Sequence, residues 1–168
     1  MTKLAFWLGL LLSGSMACAQ GTAPTPRVLL FFSLNVEADH MLFATDAIRF
    51  FAEEADRHGF RVEATSNWAE MNDENLKQYK LVVWLNGTPP PAQQPVFQRY
   101  MENGGAWLGF HVSGYNDKDT HWPWFVDFMG GAVFYNNNWP PLPAKMVVDD
   151  NTHPATKSLP IEVCVAMP

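Results

Sequence analysis

Two kinds of apolar pattern alternate along the chain. "RVLLFFS" (27–33) is an unbroken apolar run after a polar lead-in, the pattern of a central parallel strand covered on both faces. Residues 40–58 switch to helical spacing, with Phe43, Ala47, Phe50, Phe51 and Ala55 in phase and Gly59 where a C-cap belongs. "FRVEAT" (60–65) alternates Phe60, Val62 and Ala64 with polar residues, which predicts a half-covered edge strand. The cycle then repeats. Asn72-Asp73 predicts the cap of a short helix running to Tyr79, and "LVVWLN" (81–86) a second buried strand. Pro95 marks the first turn of a helix presenting Val96, Phe97, Tyr100 and Met101, which Asn103-Gly104-Gly105 ends. "AWLGFH" (106–111) is the next strand, followed by a short helix around "WPWFVDFMGG" (122–131) and a strand "AKMVV" (144–148).

Strands alternating with helices predict a doubly wound parallel sheet. In such sheets ligands bind beyond the carboxyl ends of the strands, near the topological switch point. That rule selects the loops at 33–40, 86–92, 111–121 and 149–153. Four of the five histidines lie on or beside them: His40, His111, His121 and His153. His58 falls at a helix C-terminus, where a cation suits the dipole.

Composition narrows the setting. Lys3, the apolar run Leu4 to Leu12 and Ala17-Cys18-Ala19 form a signal-peptide pattern over 1–19. The expected mature chain starts at Gln20 and is periplasmic or extracellular. A lipidated Cys18 is the lesser alternative, because Ser15 stands where such sites usually carry Leu. The apolar run is too short for a membrane span. Residues 20–26 read as a tether and 27–168 as one domain. The net charge of −6 argues against a nucleic-acid partner. Cys164 alone remains after cleavage, so no internal disulfide can form.

Chemistry concentrates around "GGAWLGFHVSG" (104–114), a strand running into a glycine-flanked turn. Such a turn lifts a nucleophile above the sheet in many α/β enzymes, but here it carries His111. Imidazole titrates near neutral pH and suits acid/base work; bracing the turn is the plainer role. His40, with Asp39 beside it, opens the first helix and could turn toward His111, though Asp39 could equally cap that helix. Asp117 could orient a histidine or bond a hydroxyl, or simply shape a turn. Asn35 and Asn86 add polar groups at the strand ends. Tyr115, Asn116 and Trp139 belong to an aromatic and amide-rich stretch whose flat faces and hydrogen-bonding edges suit a sugar ring. Trp124, Phe125 and Phe128 read instead as the buried face of a short helix. No H-x-x-x-H or C-x-x-C spacing occurs, so no cofactor is expected and a divalent metal is the lesser alternative.

Three blocks taken together, "GGAWLGFHVSG", "HWPWFVDFMGGAVF" and "DDNTHPATKSLP", with the opening "RVLLFFS…DH", resemble the ThuA-like (trehalose utilisation) family over residues 27 to 160. The resemblance implies a flavodoxin-like sheet with helices on both faces, similar to class I glutamine amidotransferases. Those relatives carry a catalytic Cys at the turn. With His111 there, glutaminase chemistry is not expected. The ending "IEVCVAMP" departs from the family's usual continuation, and a truncation is one expectation for it. The leading functional expectation is an exported protein acting on carbohydrate or a sugar derivative, by hydrolysis or isomerisation. The rivals are a non-catalytic carbohydrate-binding module and an inactive product.

Overall fold

The computed structural model describes residues 24–136, 140 and 142–165. The expected leader and Trp139 lie outside them. Four parallel strands form the sheet: β1 (Arg27–Phe31), β2 (Arg61–Thr65), β3 (Leu81–Trp84) and β4 (Trp107–Gly109), in the order β2-β1-β3-β4. β2 is an edge strand, as its alternation predicts. The order reverses between β1 and β3, which makes their carboxyl ends the switch point.

Side-chain alternation explains the layers. Val28, Leu30, Val83 and Leu85 point to one face, where they pack on Ala44 and Ala47 of α1 (Ala38–His58). Leu29, Phe31, Val82 and Trp84 point to the other, under Leu76 of α2 (Asp73–Leu76), Phe97 of α3 (Gln94–Glu102) and Phe125 of α4 (Pro123–Phe128). Trp84 is the hub of this second layer, with Phe97, Trp107 and Phe125 rings at 4.2, 5.0 and 5.6 Å. Aromatic pairs of this kind add about 0.5–1.5 kcal/mol each beyond their buried area.

The element boundaries follow from local chemistry. Gly59 closes α1 in the left-handed conformation, φ 70°, with its N–H on the Ala55 carbonyl. Asn72 caps α2 by accepting from the Asn75 N–H at 3.0 Å, but α2 stops at Leu76 rather than Tyr79. The buried stripe of α1 is also displaced from expectation. Ala44, Ala47 and Ala55 face the sheet, while Phe43 and Phe50 remain exposed.

One strand leaves the predicted sheet. β5 (Ala144–Val147) pairs antiparallel with β6 (Glu162–Val165) in a separate two-stranded ribbon. Lys145 in mid-strand stays exposed in this ribbon, its ammonium reaching Glu162 at 2.7 Å. A strand covered on both faces has no place for that charge.

Candidate functional site

Register assembles the site. Phe31, Trp84 and Gly109 stand abreast in β1, β3 and β4. Two residues further on, Ser33, Asn86 and His111 therefore share the upper edge of the sheet.

The turn after β4 is built by one carbonyl. The Trp84 oxygen accepts from the Phe110 N–H at 3.1 Å and from the buried Ser113 hydroxyl at 3.0 Å. The chain is bent into a short 3₁₀ turn, His111–Gly114, by the Ser113 N–H on the Phe110 carbonyl. Gly109 leads into it because a Cβ there would collide with the Trp107 indole. His111 pays for the bend in backbone strain: at φ 47° it is the one non-glycine residue with positive φ among those described. Such strain costs on the order of 1 kcal/mol or more and clusters at functional positions.

Asn86 holds the neighbouring loop. It is fully buried and each amide atom is engaged: Oδ1 accepts from the Ser33 N–H at 2.7 Å, and Nδ2 donates to the carbonyls of Ser33 at 3.1 Å and His40 at 3.3 Å. Asn86 thus ties the first turn of α1 to the end of β3. Gly87 beside it leaves the Ser33 hydroxyl its space, since a Cβ would approach that oxygen to 2.5 Å.

This clamp sets His40 against His111, with ring centroids 5.1 Å apart and planes at 68°. His40 Nδ1 lies 3.0 Å from Glu37 Oε2. An ionised carboxylate can only accept, so Nδ1 carries the proton and Nε2 is left free to accept one. Asp39, the partner expected from sequence, instead accepts the backbone N–H of His40 at 3.0 Å. The sequence pattern gives Glu37 no role, although it stands three residues before His40, the spacing at which helical side chains meet.

His111 and Val112 divide two cavities. One, about 250 Å³, is lined by His40, Phe43, Leu85, Asn86 and Phe110. The other, about 480 Å³, is lined by Gly114, Tyr115, Asn116 and the segment 132–134. The Tyr115 ring lies 5.2 Å from that of Phe134, and burial beside the Asp117 carboxylate raises the Tyr115 phenol above its usual range.

The remaining candidates lie apart from the imidazoles. Asp117 closes its own turn, accepting from the Asp119 N–H at 2.9 Å and the Thr120 hydroxyl at 3.2 Å, and lines a separate depression with Lys118 and Pro123. Asn35 is exposed on the loop after β1. His153 accepts from the Ala155 N–H at 3.1 Å, which fixes its own loop, and His58 pairs with Glu54 at 3.0 Å. Among the described residues no group of three His, Cys, Asp or Glu side chains is placed to hold a metal ion. None of their helices is long and apolar enough to cross a membrane.

Residues 27–166 match the family model described as ThuA, trehalose utilisation. The chain belongs to the ThuA family. A solved structure of a ThuA-like protein from Bacteroides uniformis is similar to it, with 42% identity over 87% of this chain and a TM-score of 0.78. This chain spans 61% of that protein's length. No curated protein matches. Glu37, His40, His111 and Asn116 all lie inside the stretch that defines the ThuA match.

Proposed function

We propose that this ThuA-family protein acts on a carbohydrate or sugar derivative at the edge of the sheet, by acid/base chemistry centred on His111. The observation that carries the proposal is the pair of imidazoles at 5.1 Å, one oriented by Glu37 and the other held in a strained backbone. Two adjacent imidazoles allow one to accept a proton while the other donates, which serves hydrolysis and isomerisation alike. His40 Nε2 is the acceptor that the Glu37 contact leaves free. The trehalose-utilisation description of the family supports a sugar as substrate. The aromatic and amide lining of the larger cavity suits a ring with C–H faces and hydroxyl edges.

Glutaminase chemistry has no support here, because the turn offers an imidazole where that reaction needs a thiolate. The same reading has the chain exported on the strength of Lys3, the apolar run after it and Ala17-Cys18-Ala19. Mass spectrometry of the secreted protein is expected to find Gln20 first; an intact leader or a lipidated Cys18 would refute export by this route.

The test of the site is a thermal-shift screen of wild type and His111→Ala against trehalose, glucose, keto-sugars and divalent metals. At least one sugar should raise the wild-type Tm and leave the variant unmoved. A response to metals alone, or equal responses of both proteins to sugars, would contradict the proposal.

A further inference from the structure

The cavity beyond His111 contains a polar group that the fold does not use. Asn116 is 2% exposed, yet neither Nδ2 nor Oδ1 meets a hydrogen-bond partner among the described residues. Asn86, equally buried, has both amide atoms satisfied. A buried amide left unpaired opposes folding, and an apolar side chain of similar size would fill the same place more favourably. Its presence therefore calls for a use beyond the packing of the described residues.

The surroundings define that use. Asn116 lines the 480 Å³ cavity together with His111, and Tyr115 and Phe134 supply two aromatic rings to its wall. A carboxamide offers an acceptor and a donor side by side. The complementary edge presents a donor and an acceptor on adjacent atoms, as two neighbouring hydroxyls of a ring do. Aromatic faces match the C–H surface of the same ring. Both amide atoms are closed to solvent, so a ligand meets them only once the side chain turns into the cavity or its cover moves. The Phe134 N–H ties the neighbouring 132–134 segment to the Asn116 backbone carbonyl at 2.6 Å.

We propose that Asn116 determines specificity in this site, its amide reading a vicinal diol on the ring whose reacting group faces His111. This rests on the sugar reading above and adds to it the group that distinguishes a polyol ring from other ligands.

The experiment is an NMR titration of the full ¹⁵N-labelled chain with D-glucose, trans-1,2-cyclohexanediol and cyclohexanol, repeated on Asn116→Leu. Glucose and the diol should saturably move the Asn116 side-chain amide signals, and cyclohexanol should bind at least about tenfold more weakly. Asn116→Leu should keep or raise the Tm while losing at least about tenfold in glucose affinity. A variant that loses Tm, or binds glucose as wild type does, overturns the proposal. If glucose moves His111 equally in both proteins, the diol assignment alone falls. If no polyol moves either residue, the sugar reading falls with it.

Discussion

The imidazole of His40, in the first turn of α1, meets that of His111, beyond the end of β4, at 5.1 Å and nearly edge-on. Seventy-odd residues of chain separate them, and parallel register with the Asn86 clamp closes the gap. Glu37 makes the relationship directional by fixing which nitrogen of His40 is protonated. In Glu37→Ala, ¹⁵N NMR should show His40 losing its preference for the Nδ1–H tautomer while the Tm barely moves, since an exposed partner contributes roughly 0–1 kcal/mol. An unchanged tautomer would show that the carboxylate does not orient the ring.

Asn86→Leu tests the clamp. It strands the Ser33 N–H and carbonyl, each worth about 1–3 kcal/mol when buried without a partner. Chemical denaturation should register a loss of about 3 kcal/mol, and the His40–His111 contact should disappear from NOE spectra. A variant as stable as wild type would remove the clamp from the account.

The strain at His111 separates backbone from side chain. His111→Gly relieves a positive φ that His111→Ala retains. The glycine variant should therefore be more stable than the alanine variant by about 1 kcal/mol by denaturant titration. Equal stabilities would mean the turn stores no strain.

Much of this frame can be read from residue order. The alternation of Phe60, Val62 and Ala64 marks an edge strand, Gly59 ends α1 and the continuous run at 81–86 is buried between two layers. Other features depend on partners distant in sequence. β5 pairs with β6, where Lys145 meets Glu162, and Phe43 of α1 stays half open against Phe110, a residue of the turn after β4. The site divides in the same way. The turn at His111 is visible as glycine spacing, whereas the orphan amide of Asn116 and the engaged one of Asn86 look alike as letters. Only their surroundings differ.

Acid should weaken the β1–β2 edge. Arg27 and the Tyr79 hydroxyl both donate to Glu63, at 2.6 and 2.8 Å, and hold its carboxyl below the usual range. A depressed carboxyl stabilises the fold above its unfolded pKa, and that contribution is lost as pH falls through the folded value. Glu63→Gln should therefore have a lower Tm than wild type near neutral pH, with the gap closing below about pH 4. Burial and the Glu63 contact push Tyr79 the other way, up to about 12. Stability should accordingly fall as pH rises from about 10 toward that value. A gap that persists unchanged in acid would contradict the assignment to Glu63.

One rate comparison decides whether His111 performs chemistry or only braces a turn. Wild type and His111→Ala are incubated with the sugar that gives the largest thermal shift, and product is followed by NMR. Loss of an acid/base group typically costs about 100-fold or more in rate, whereas truncating an exposed side chain changes stability by about 1 kcal/mol or less. Wild type should turn the sugar over, and a folded His111→Ala should do so at least about 100-fold more slowly. Near-wild-type turnover in that variant, or its failure to fold, would contradict a chemical role for His111.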